Sequence, residues 1–462
     1  MTIPSTNESS FMPKFWILAF AHAVVLALPA AAQVQESLED RVARLERLVA
    51  ELSQQLKIAD RKVEIKDEET AEIVKKTPVV GADLSGFSIK SADQNFTLKI
   101  GADLQVDNRT FSGEGSGAYT NSTVLRRVRP TFSGTVYKYF DYYFRPDFGL
   151  GTTVIYDAYM ETNYFQWAKL RVGKFKPPVG LERLQSDDDT NFVERGLPTL
   201  LVPSRDIGYQ VSGNLLKNRV NYAVGVFNGV PDNGLSDASA SNHRDYAARL
   251  FLTPFARSGG EGPLSGLGFG VGATSGNVDG EALPSYKTVG QNTFMTFNSG
   301  VVEMGHRTRL APALHYYAGS FGLFSEYGVT TEGLQKGSVR HDFAFRAWQV
   351  QATYILTGER KSYFSPTPRR AFDLRNGQWG AVELAARVGN FSAETGLYGY
   401  GFLDPTKSPR AVREWVGGAN WYLNRLVRFT IDYGNSNFTG GAIGGNRPSE
   451  RVLLTRFQIN FI

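Results

Sequence analysis

From residue 78 onward the chain alternates apolar and polar side chains with a period of two. In Phe96-Thr97-Leu98-Lys99-Ile100-Gly101-Ala102-Asp103-Leu104-Gln105-Val106 every even position is apolar, and the odd ones are Thr, Lys, Gly, Asp and Gln. The alternation returns at 220–226, 267–273, 348–354 and 427–433. Strands of about ten residues patterned this way set one face against lipid and the other against a polar lumen. About sixteen such segments are predicted, from 95–107 through 320–330 and 343–357 to 450–461. An even number suits a barrel whose two ends lie on the same side of the membrane. The pattern predicts an all-β transmembrane barrel over 95–462, with about sixteen antiparallel strands. Short turns at 217–218 and 423–425 are expected at the periplasmic end. The stretches 108–122, 177–206, 229–243, 276–304 and 437–449 are expected outside or folded inward, the loop 177–206 inward.

Upstream the period changes. Leu38, Leu45, Leu52 and Ala59 fall at d positions of a heptad, with Val42, Val49, Leu56 and Val63 at a. That seam predicts a periplasmic coiled-coil helix over 33–66, followed by a linker and barrel entry over 67–94. Val at a with Leu at d nominally favours two strands, so the strand number of the coil stays open between two and three. Ahead of it, residues 15–28 are apolar except for His22, with Lys14 before them and Pro29-Ala30-Ala31-Ala32-Gln33 after. This run is too short to cross a bilayer as a helix and reads as a signal peptide over 1–32, cleaved after Ala32. Either Met1 or Met12 could start it.

Composition narrows the chemistry. There is no Cys, which removes disulfides, thiolate nucleophiles and cysteine zinc sites together. Four His follow the leader, at 243, 306, 315 and 341. Only His315 is expected in the lumen, with no Ser or acid in sequence to orient it, so the reading is not an enzyme. No cofactor, metal or nucleic-acid partner is expected. From Gly81 onward 40 Lys and Arg stand against 33 Asp and Glu, a balance of +7. Alternation turns Arg127, Arg129, Lys169, Arg171, Arg249, Arg307, Arg309, Arg387 and Arg428 toward the lumen, with Glu161, Glu326, Glu383 and Asp432. Rings of lumenal cations favour anions. Arg126 breaks the alternation and would point at lipid, costing about 2–4 kcal/mol at the midplane. A bulge after Leu125 would turn it inward. The loop 177–206 holds three Arg against six carboxylates, 3 − 6 = −3, with Asp187, Asp188 and Asp189 together.

Several blocks carry a family resemblance. Leu125-Arg126-Arg127-Val128-Arg129-Pro130, Arg171-Val172-Gly173-Lys174-Phe175-Lys176-Pro177-Pro178, Val193-Glu194-Arg195-Gly196, Leu356-Thr357-Gly358-Glu359 and Asn420-Trp421-Tyr422-Leu423-Asn424 occur in the order found in the phosphate-selective porin O and P family. The C-terminal Phe457-Gln458-Ile459-Asn460-Phe461 is similar to the outer-membrane assembly signal. The resemblance implies a trimeric sixteen-stranded barrel in the outer membrane of a Gram-negative bacterium, passing phosphate-like anions through a basic constriction. It implies that Arg126 and Arg127 line the anion path, with Lys99 near the constriction and Asp157 close to the anion. Together with Arg129, Lys169, Arg171, Arg307 and Arg309 these form the candidate path, and Lys99, Arg127 and Arg129 are expected at one height on adjacent strands. The partners expected are small inorganic anions, the bilayer and further copies of the chain. A general, weakly selective porin, which the acidic loop would suit, is the other reading. Basic residues at 360, 361, 369, 370 and 375 lie in a long turn that either stays solvated or folds up into the barrel mouth.

Overall fold

The computed structural model describes residues 37–84, 86–113, 116–239, 241–256 and 262–461. The leader, its cleavage point and the start of the expected coil lie outside these residues. Helix α1 (Leu38–Lys76) opens on a Ser37 cap, whose hydroxyl accepts from the Asp40 amide at 3.1 Å and donates to the Asp40 carboxylate at 2.8 Å. The heptad residues from Leu38 to Val63 stand exposed along it. The helix runs on to Lys76, past the expected end at 66, because the Lys- and Glu-rich segment has helix propensity without needing an apolar seam.

The second unit begins with a hairpin of two short strands, Val79–Asp83 and Gly86–Lys90, inside the segment read as linker. It hydrogen-bonds to the first barrel strand. The barrel strands are β1 (Phe96–Ser112), β2 (Ser122–Val136), β3 (Phe140–Asp147), β4 (Val154–Thr162), β5 (Lys169–Phe175), β6 (Asp206–Leu215), β7 (Val220–Phe227) and β8 (Asp245–Leu252). They continue as β9 (Leu267–Glu281), β10 (Val301–Ala318), β11 (Phe321–Lys336), β12 (Val339–Ile355), β13 (Ala381–Ala393), β14 (Pro409–Tyr422), β15 (Val427–Ala442) and β16 (Glu450–Phe461). Each pairs antiparallel with its neighbours, and β16 pairs with β1, with Phe457 opposite Val106, so the sheet closes on itself as sixteen strands. Closure leaves no unpaired edge in the wall. No described helix is long and apolar enough to cross a membrane.

Strand lengths are uneven. From β3 to β8 they run 8, 9, 7, 10, 8 and 8 residues, whereas β10 to β12 run 18, 16 and 17. The expected break between 330 and 343 is absent, because both strands continue to a tight turn at Gly337–Ser338. There the outward face turns polar, so the lipid-facing half of the alternation stops before the strands do.

Candidate functional site

Between β5 and β6 the chain leaves the wall and crosses the lumen. Pro177 and Pro178 have no amide hydrogen to continue the ladder, and Gly180, at φ +79°, turns the chain inward. The amides of Leu181 and Glu182 donate to Glu326 on the far wall at 2.7 and 3.1 Å. Glu182 in turn accepts from Gln349 and Gln351 of β12, each at 2.8 Å. The Val193 amide donates to Asp432 of β15 at 2.6 Å. At Gly196 a Cβ would lie 1.7 Å from the Gln349 side-chain oxygen, so a larger residue there would displace the Gln349 amide that bonds Glu182. The inward loop is therefore tied to β11, β12 and β15.

Two β-bulges face it. Gln105 pairs with Arg127 and Val106 with Leu125, which leaves Arg126 as the extra residue, in the place the sequence called for. Arg126 turns inward and grips Glu194 of the loop with two hydrogen bonds of 2.7 and 3.1 Å. A second bulge was not foreseen. Arg145 pairs with Asp157 and Pro146 with Ile155, so Tyr156 is unpaired and buried on the lumen side beside Asp157.

The loop carboxylates do not face solvent. Asp187 is buried and ion-paired to Arg195, Arg129 and, at 3.4 Å, Arg127. Burial opposes its ionisation, but Arg195, Arg127, Arg129 and Lys176 outweigh it and hold its pKa well below the ordinary carboxylate range. Glu194 is likewise held low, with Arg126 overcoming its burial. Asp189 goes the other way, because burial dominates. Arg129 also meets Asp147 at 2.7 Å, Arg205 meets Asp157 at 3.2 Å, and Arg145 meets Asp103 at 3.4 Å. Among the described residues Lys176, Arg183 and Arg249 have no carboxylate in ion-pair range. Lys176 donates to the Gln185 carbonyl at 2.7 Å. Arg183 donates to the Thr199 carbonyl and to Asn233, each at 2.6 Å. Burial, then repulsion from Arg205 and Arg195, pulls the Lys176 pKa well below that of free lysine. Burial and Arg195 bring Arg183 down to about 10.

These groups surround two cavities. One, of about 300 Å³, is lined by Arg126, Arg127, Arg129, Arg183, Arg195 and Lys287, against Asp147, Glu194 and Glu414. The other, of about 380 Å³, is lined by Arg145, Arg171, Lys176, Arg205 and Arg249, with Asp157 its only carboxylate among the described residues. A water takes about 30 Å³, so each has room for a small hydrated ion. Of the residues expected on the path, Arg126, Arg127, Arg129, Asp157 and Arg171 line these cavities. Lys169 sits beside Arg171, both paired to Glu161.

Lys99, Arg307 and Arg309 lie apart from these cavities. Lys99 pairs with Ser133, whereas Arg129 pairs with Asp103. Lys99 is thus four residues down β1, or about 14 Å at 3.4 Å per residue, and exposed, so it does not share the height of Arg127 and Arg129. Arg307 and Arg309 face inward but are sealed beneath the loop between β7 and β8. Arg309 pairs with Asp232 and Asp245, Arg307 with Glu303 and Asp245, and neither lines either cavity. They pin that loop to β10. Sequence reasoning also passed over Lys176, Arg183, Arg195, Arg205 and Arg145, which line these cavities. The loop's balance of −3 hid its cations, although Lys176 and Arg195 stand inside blocks already recognised.

The long turn between β12 and β13 does enter the barrel. Lys361 pairs with Glu383 and donates to Asn191, both at 2.7 Å, the Tyr363 hydroxyl donates to the Leu181 carbonyl at 2.6 Å, and the Ser365 amide donates to Asp189 at 2.8 Å. It supports the inward loop from the end where the chain enters the barrel.

Comparison with known proteins agrees with this architecture. The profile of the phosphate-selective porin O and P family matches residues 96–461. Porin O of Pseudomonas aeruginosa is 23% identical over 401 residues, covering 79% of this chain and 86% of its own. Among solved structures, the outer membrane channel DcaP of Acinetobacter baumannii superposes with a TM-score of 0.53 at 9% identity, covering 80% of this chain and 99% of that one. OmpT of Vibrio cholerae gives 0.50 at 12% identity, over 79% and 98%. At such identities the two structures speak for the fold alone.

Proposed function

The chain belongs to the phosphate-selective porin O and P family, and from that premise we propose that it is a passive diffusion channel for small anions, phosphate or related oxyanions among them. The observation that carries this reading is the cation excess around the two lumenal cavities, six against three and five against one. A water-filled passage with low-dielectric walls focuses such a field, raising the local concentration of anions and excluding cations. Guanidinium groups fit oxyanions because their planar forks donate paired hydrogen bonds. Measuring reversal potentials in a planar bilayer under a KCl gradient, then adding inorganic phosphate, tests it. A chloride-selective current blocked by phosphate is expected, and a cation-selective one refutes the reading.

A general, weakly selective pore is the second reading, and one contact favours it. Asp187 already occupies the focus of Arg127, Arg129 and Arg195, where a free anion would otherwise be held. Chloride preference without phosphate block would decide for it.

The same proposal covers assembly. A membrane strand needs about 9–11 residues, yet β3 and β5 have 8 and 7, with exposed Phe140, Phe144, Met160 and Leu170 on their side of the barrel. A wall this low suits contact with further copies of the chain in a trimer, joined also by a periplasmic coil over the heptad seam. Deleting 34–76 should weaken the oligomer on unheated gels while leaving the barrel folded. An unchanged oligomer at every temperature would assign assembly to the barrel wall alone. Export by a leader cleaved after Ala32 predicts an N-terminus at Gln33 in purified membranes, and an intact Met1 or Met12 would contradict it.

A further inference from the structure

We infer that Tyr156 is a selectivity-determining residue of the channel, its phenolic hydroxyl donating a hydrogen bond to an oxyanion in the 300 Å³ cavity it helps to line. This rests on the reading of that cavity as part of an anion path. Alternation alone would give this stretch of β4 one inward side chain, Asp157. The bulge opposite Arg145 and Pro146 adds Tyr156, and bulges commonly re-aim residues beside functional sites.

Its surroundings are unusual for a phenol. The Arg129 guanidinium lies 3.7 Å from the ring centroid and the Arg205 guanidinium 3.6 Å. Two cations at such distances are within cation–π range and hold the ring in place. Both guanidinium groups are themselves fixed by carboxylates, Arg129 by Asp147 and Asp187, Arg205 by Asp157. Arg126, Arg183 and Arg195 line the same cavity as Tyr156. Yet no described protein group hydrogen-bonds the hydroxyl, although the residue is only 7% exposed. Tyr156 lines the cavity, and with no protein acceptor its hydroxyl is left to donate to what occupies that space, which the surrounding arginines bias toward anions.

The chemistry separates two kinds of discrimination. Arginines and lysines attract any anion by charge. A fixed hydroxyl adds a directional donor at one position, and an oxyanion can meet it with one oxygen while its others accept from the guanidinium groups, a match that a single halide ion cannot make at all these points together. Because Asp187 already occupies part of the arginine fork, an added donor matters more here than it would beside free arginines.

The test uses the full-length channel in planar bilayers, with Tyr156→Phe and Tyr156→Leu. The Phe variant keeps the ring between its two arginines and removes only the hydroxyl. Inorganic phosphate is titrated against chloride current, and reversal potentials are read under a KCl gradient. Loss of one hydrogen bond to a charged acceptor should raise the half-blocking phosphate concentration about tenfold in Tyr156→Phe. The reversal potential should move further in Tyr156→Leu, where Arg129 and Arg205 lose the ring between them. Equal phosphate block in Tyr156→Phe and wild type, with chloride preference intact, overturns this inference alone. A wild-type channel that phosphate does not block, or that does not prefer anions, overturns the anion-path reading and this inference with it.

Discussion

The inside of this barrel has two unlike sides. Along β11 to β15 it is filled: Tyr286, Phe294 and Met295, from the loop between β9 and β10, pack with Leu197, Leu200 and Leu201 of the inward loop onto Phe343, Phe345 and Phe391. The rings of Tyr286, Phe294 and Phe391 meet with centroids 5.0–6.4 Å apart, Tyr286 stacked on Phe294 and Phe294 edge-on to Phe391. Along β2 to β8 the wall carries arginines, and every residue lining the larger cavity comes from β3 to β8 or the inward loop. The contrast teaches how a wide barrel is narrowed. Sixteen strands enclose more space than a small ion needs. Filling one side with an apolar core, which excludes water and binds no solute, leaves the passage against the charged wall. The inward loop belongs to both sides, its apolar end anchored in the plug and its Asp187 end gripping the arginines.

The largest effect should come from breaking the charged side. A unit charge at 4 Å is worth about 4 kcal/mol at an effective dielectric near 20. Arg127→Ala with Arg129→Ala should therefore lower the anion-to-cation permeability ratio at least tenfold and abolish phosphate block. Unchanged reversal potentials would make the pair a structural clamp on Asp187. Next comes the plug. Phe294→Ala removes a buried ring at a local cost of about 3–5 kcal/mol, and should raise single-channel conductance while diluting selectivity as a second, uncharged route opens. Conductance at the wild-type level would mean that the plug excludes no passable space.

Lys176 offers a smaller effect that depends on pH. Its pKa is depressed, so its proton leaves at lower pH than that of an ordinary lysine near 10.4. Anion preference should fall as pH rises through that depressed value, still below 10.4, and Lys176→Arg should flatten the profile because arginine stays charged. A wild-type profile as flat as the variant's would exclude Lys176 from the path. The smallest effect on selectivity is expected at Arg309. Arg309→Leu strands Asp232 and Asp245 in a buried site and should cost about 3–5 kcal/mol of stability, lowering the unfolding temperature without moving the reversal potential. A shifted potential would return Arg309 to the anion path.

On the charged side, alternation along the sequence fixes which residues face the lumen but not the height at which they sit. Arg127 and Arg129 were placed in the lumen by parity, and the Arg126 bulge was deduced because lipid could not accept the alternative. The Tyr156 bulge escaped notice because no charge was at stake: a tyrosine facing lipid raises no alarm. Lys99 was misplaced because parity says which face a residue occupies, not which neighbour it meets. That depends on register, which only the pairing of Lys99 with Ser133 fixes.

What the sequence by itself determined is whatever a repeating local pattern encodes. The period of two specified strands, their number and a closed barrel, since unpaired edges cannot persist in lipid. The heptad period specified α1, and the five recognised blocks specified the family. What only the tertiary structure decided is which charges meet. Asp187, Asp188 and Asp189 are in sequence only a run of like charge, yet Asp187 lies at the centre of three arginines, one of them eight residues away and two on β2, 58 and 60 residues away. The aromatic plug was equally illegible, because its rings come from loops without periodicity. Ion pairing depends on distances of a few ångströms across the lumen, and those are set by how far the inward loop reaches and where it is tied, which no local pattern records.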